Sequence, residues 1–128
     1  MIEMTNGEVI QAAQALEELG RERLPVPGAL RVRKVTRAVQ AHLQDVEAVR
    51  MDLLKRHART DEAGELVPGE GGIATFEDGA RERFIADWEA LLAERVEFEY
   101  GVRVSDLGNI EVRPSVLVEL GALLEEEG

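Results

Sequence analysis

An α+β fold, with a long antiparallel helical hairpin, two shorter helices and a small antiparallel β-sheet, is what this sequence predicts. Three observations carry the prediction. From Ala29 to about His57, apolar residues recur at intervals of three and four, the period of an amphipathic helix. A second stretch of the same period, about Glu77 to Arg95, follows a glycine-rich break and supplies the partner that a long apolar stripe needs. Residues 96–104, "VEFEYGVRV", alternate: Val96, Phe98, Tyr100, Val102 and Val104 fall on one face, Glu97, Glu99 and Arg103 on the other, the period-two pattern of a half-buried strand. At 128 residues the chain fits one domain, 1–128, with a core large enough to need no disulfide or metal.

Taken in order, Ile2 and Met4 alternate with Glu3 as a short edge strand. "MTNGEV" then reads as a helix entrance. Thr5 and Glu8 have capping-box spacing, and Met4 with Val9 has that of a hydrophobic staple. The helix runs to about Leu19, burying Val9, Ala12, Ala13, Leu16 and Leu19, and Gly20 suits its C-terminus. "LPVPG" is expected as a stiff connector, because each proline fixes its own φ and biases the residue before it toward extended backbone. The long helix follows, about 29 residues and on the order of 43 Å. Val32, Val35, Val39, His42 or Leu43, Val46, Val49 and Leu53 line its apolar side. Arg31, Lys34 and Arg37 lie off that stripe. Lys55, Arg56, His57 and Arg59 close its last turn, where positive charge suits the helix dipole.

"TDEAGELVPGEGGIATF" holds four glycines and one proline in 17 residues, which predicts turns around a small hairpin, "ELV" against "IATF". The next helix places Ala80, Phe84, Trp88, Leu91 and Leu92 on one face. All five aromatic residues, Phe76, Phe84, Trp88, Phe98 and Tyr100, lie between 76 and 100, so this segment is expected to organise the core. After the strand, "SDLGN" reads as a turn and "IEV" as a short strand pairing back. Pro114 opens a final helix at the position where a missing N–H costs least, with Val116, Leu117, Leu120, Leu123 and Leu124 apolar.

Composition narrows the function. There is no cysteine, which removes disulfides, thiolate metal sites and thiol nucleophiles together. No apolar run approaches the roughly 20 residues of a membrane span, and "MIEMTNGEV" is acidic where a secretory signal is basic and apolar; a soluble, unexported protein is expected. The net charge of -11 is unevenly divided. Residues 21–59 hold ten Lys/Arg against four Asp/Glu, +6, and the remainder holds five against 22, -17. Attraction between the basic helix and acidic surface, on this chain or another, follows. The same acidity argues against direct nucleic-acid binding, since phosphates would be repelled and no aromatic residue interleaves the basic ones.

The search for chemistry finds no constellation. His42 and His57 lack H-x-x-x-H spacing and any cysteine partner, and read as structural. The acids Glu17 with Glu18, Asp45 with Glu47, Asp52, and Asp87 with Glu89 do not form the paired motifs that hold magnesium on facing helices. "PGEGG" lacks the Lys and Ser/Thr of a phosphate loop, and Ser105 and Ser115 lack a nucleophile elbow. No catalytic, cofactor-binding or metal-binding residue is assigned.

Several stretches, "TNGEVIQAAQALEEL", "LPVPGALRVRKVTRAV", "RTDEAGEL", "FIADWEALLAERVEFE" and "LGNIEVRPSVLVEL", make the chain resemble a family of small uncharacterised proteins of tailed bacteriophages. The arginine-rich helix and the "VPGEGG" turn depart from the family pattern. The resemblance implies a non-enzymatic phage protein, with genes of its kind among those for head and tail morphogenesis. A structural or assembly component of the capsid or tail is therefore expected, working by contact with other phage structural proteins or with copies of itself as a homo-oligomer. It would be found in the host cytoplasm during assembly, with the virion as a second location. Arg31, Arg33, Lys34 and Arg37 are the expected contact residues, and Glu97 and Glu99 their acidic counterparts. The alternative expectation is an acidic mimic of nucleic acid that inhibits a host polymerase or nuclease, motivated by the -17 outside the basic helix.

Overall fold

A computed structural model describes residues 1–69 and 74–125. The fold is α+β, mostly helical. In order, it comprises β1 (Ile2–Thr5), α1 (Asn6–Leu19), α2 (Val26–His57), α3 (Ala80–Ala93), β2 (Arg95–Phe98), β3 (Val102–Arg103), α4 (Pro114–Leu120) and β4 (Leu124–Glu125), with 3₁₀ turns at Val104–Leu107 and Gly121–Leu123. Contacts gather into two compact units, one of residues 1–43 with 94–128 and one of residues 44–93. The long helix α2 contributes its first part to one and its remainder to the other.

In the first unit, β1 pairs antiparallel with β2 in the register Ile2 to Phe98 and Met4 to Val96, which turns the apolar members of both strands to one face. The α1 entrance forms as its spacing predicts. The Thr5 hydroxyl accepts the Glu8 N–H at 3.2 Å and Glu8 Oε1 accepts the Thr5 N–H at 2.9 Å. Met4 and Val9 are both wholly buried. Gly20 caps the helix in a right-handed conformation, φ -64°, its N–H reaching Leu16 O. The core gathers Val9, Ala12, Ala15, Leu16 and Leu19 of α1, Val32, Val35 and Val39 of α2, and Val116, Leu120 and Leu123 near the C-terminus. Each large aliphatic side chain so buried contributes about 1.5–3 kcal/mol.

Several expectations need correcting. "LPVPG" does not stand outside α2: the helix starts at Val26, and Ala29 N–H already bonds Pro25 O at 2.8 Å. Pro27 therefore occupies the first turn, where its missing N–H has no intrahelical acceptor to lose. "VEFEYGVRV" is not one strand. It breaks at residues 99–101, where the chain leaves its antiparallel partner β1 and joins β4 in a parallel pair, Val102 to Leu124. Asp106 Oδ2 accepts the Arg103 N–H at 2.8 Å and draws the chain into a 3₁₀ turn, leaving Val104 58% exposed. "IEV" forms no strand, although Ile110 and Val112 pack on the core. The last helix stops at Leu120, because Gly121 takes φ +53°. Leu123 is then buried from a 3₁₀ turn, while Leu117 stays exposed. The aromatic segment does not organise the core either, for only Phe98 among the five is buried. Alanines at 12 and 15 let neighbours approach α1 closely, and branched aliphatic chains fill what remains.

In the second unit, the remainder of α2 and the returning α3 form the helical hairpin, tied by His57 Nε2 donating to Asp87 Oδ2 at 2.6 Å. Val46, Leu53, Leu54 and Ala80 are its buried residues. Phe76 and Phe84 stack at 5.6 Å between centroids. The connection is a small ladder in which Val67 N–H bonds Arg59 O and Thr75 N–H bonds Val67 O. This brings "ELV" against "ATF" but adds residues 58–60 as a third segment. Residues 70–73 of the expected glycine-rich turn, and residues 126–128, lie outside the described residues.

Candidate protein-binding groove

Between α1 and the first part of α2 lies an open groove of about 1050 Å³. Its floor follows from the helical periods. Leu16 and Leu19 of α1 and Val32 and Val39 of α2 face each other, with Leu43 beside them. One step around α2, residues 26, 30, 33, 37 and 40 make a second stripe at spacings of four and three. That stripe is the groove's outer wall. Val26 and Leu30 are 83% and 54% exposed, and Arg33 and Arg37 follow them along the same edge. The opposite wall carries Glu17 and Arg21, joined to each other at 2.9 Å.

The expected contact residues divide. Arg33 and Arg37 are exposed, line the groove and enter no ion pair among the described residues. Lys34 is exposed but points off the groove's lining. Arg31 is committed within its own chain: Nε donates to Gly101 O at 2.7 Å, Nη2 to Glu125 Oε2 at 3.1 Å, and the guanidinium lies over the Tyr100 ring at 4.1 Å. Glu97 sits on the outer face of the β1–β2 pair opposite Glu3, and Glu99 follows β2. Both are exposed, and among the described residues neither lines the groove or forms an ion pair with the basic helix. Within one chain, residues 97 and 99 thus lie outside the groove that Arg33 and Arg37 line. What the linear reading missed is Val26, Leu30 and Gln40, and a signal for them exists: they continue the Arg33–Arg37 stripe once the helix is allowed to begin at Val26.

Both histidines are held by hydrogen bonds. His42 Nε2 lies 2.6 Å from Asn6 Oδ1, an acceptor, so the ring donates, and it packs perpendicular to the Phe98 ring with centroids 6.1 Å apart. Asn6 is 4% exposed, and this contact helps satisfy a buried amide. Among the described residues, no three or more His, Cys, Asp or Glu converge as metal ligands, and no helix is long and apolar enough to cross a membrane. No protein-family model, curated protein or solved structure matches the chain.

Proposed function

We propose that this chain works by protein–protein contact, its α1–α2 groove taking a partner's apolar ridge while Arg33 and Arg37 meet that partner's acids. One observation supports the reading above others: an apolar-floored groove of about 1050 Å³ edged by two exposed arginines that have no ion pair among the described residues. Apolar surface removed from water provides affinity at about 25 cal/mol/Å², and charges at the edge set register and association rate. The likeness to tailed-phage proteins extends the proposal. The contact would serve capsid or tail assembly, without enzymatic turnover, and the partners would be other phage structural proteins or copies of the same chain.

The test is capture of phage structural proteins by wild type and by the triple charge reversal R33E/K34E/R37E, at low and high salt. Wild-type capture should weaken with salt, and the variant should bind at least about tenfold less at low salt, as expected when charge pairs at an interface are reversed. Equal capture by both proteins at both salt concentrations would remove the groove from the mechanism. Recovery of a host polymerase or nuclease by wild type would instead favour nucleic-acid mimicry by the acidic remainder of the chain.

A further inference from the structure

We infer that the groove's occupant is the exposed face of α3 from a second copy of this chain, an inference that rests on the groove reading above. The outer face of α3 carries Glu82, Ile85, Ala86, Glu89 and Ala93, all exposed, and on a helix these positions fall on one stripe. Ile85 is 39% exposed, a large apolar side chain left toward water. Glu82 and Glu89, two turns apart on either side of it, enter no ion pair among the described residues. The face thus has an apolar centre between two exposed acids. The groove offers the complement, with Val26 and Leu30 exposed on its wall and Arg33 and Arg37 exposed on its edge.

Dimensions agree as well as charge. The 14 residues of α3 span about 21 Å, and the α2 segment that lines the groove, Val26 to Leu43, spans about 27 Å. A short amphipathic helix lying in an apolar channel is a recurrent mode of recognition, and small residues such as Ala86 and Ala93 permit close approach of the backbone. Arg81 and Arg83 flank the stripe without joining it. Because groove and ridge are different surfaces of one chain, the groove of one copy can hold the α3 of another.

A charge exchange tests this with the full chain. R33E/R37E and E82R/E89R, each alone, should sediment as monomers at concentrations where wild type associates. Mixed together they should associate again, because in the mixed pair both contacts once more join acid to base. Circular dichroism verifies that each variant is folded. Since the chain has no cysteine, L30C and I85C supply a second measurement that leaves the charges intact: under oxidation the mixture should give a disulfide-linked dimer that neither variant gives alone. A wild type that stays monomeric, a mixture that remains unassociated, or crosslinking equal in the single variants and the mixture would overturn the second copy as occupant. Those outcomes leave the groove itself standing if R33E/K34E/R37E still loses capture of another phage protein; loss of the second copy and loss of the groove are thereby told apart.

Discussion

Arg31 uses its guanidinium in three directions, toward Gly101 O, toward Glu125 and onto the Tyr100 ring, with its side chain only 25% exposed. Arginine suits such a place, because a planar fork can bond and stack at once where an ammonium cannot. Arg31→Ala should cost about 2 kcal/mol, seen as a lower denaturation midpoint in urea at unchanged slope, and Arg31→Lys should recover little of it. Arg33→Ala, by contrast, should leave the midpoint where it is. Thr5 and Glu8 provide a pH-dependent counterpart. Hydrogen bonds from the Thr5 backbone and side chain hold the Glu8 carboxyl below its ordinary range. A lowered folded-state value means stability present above the ordinary range and lost as pH falls through the lowered one. Glu8→Gln, which removes the carboxylate that the Thr5 N–H holds, should therefore be less stable than wild type near neutrality, by less than about 1 kcal/mol. The gap should narrow on acidification, measured by urea unfolding at a series of pH values.

At the scale of elements, two glycines decide where segments meet. A Cβ at Gly28, in the first turn of α2, would stand 1.7 Å from Asp106 O, and one at Gly101 would stand 2.0 Å from Leu123 O. In both cases the obstacle is backbone, which cannot rotate away. Gly28→Ala should cost on the order of 3 kcal/mol and displace the 104–108 turn, read as changed amide shifts confined to that turn and the start of α2. The parallel β3–β4 pair depends on the same closeness, since Gly101 immediately precedes β3 and Leu123 immediately precedes β4. The capping box, the period of α1 and the course of α2 were legible because each is a local pattern. The strand break at 99–101 was not, because unbroken alternation says nothing about a change of partner strand.

For the molecule as a whole, the two units differ in how completely they exclude water. Met4, Leu16, Leu19, Val35, Val39, Leu120 and Leu123, all in the first unit, are at most 2% exposed. In the second, the buried residues Val46, Leu53, Leu54 and Ala80 range from 4% to 8%. Fewer sealed apolar contacts mean cheaper local opening. Amides of α3 should thus exchange with deuterium at least about tenfold faster than those of α1, in a native-state exchange experiment at fixed pH. Association of the kind inferred for α3 would slow the α3 amides as protein concentration rises.

The chain's own pattern determined the α+β class, the helical hairpin, the helix entrance at Thr5 and the segregation of ten cations into residues 21–59, because periodicity, capping and charge are properties of neighbours along the chain. Tertiary structure decided which of those cations are bound within the chain and which face outward. Arg31 is withdrawn by Gly101 and Glu125, residues 70 and 94 positions away, while Arg33 and Arg37, close by on the same helix, are turned to a groove. No local spacing could have separated them, for whether a side chain meets a partner or water depends on what distant segments bring to its place.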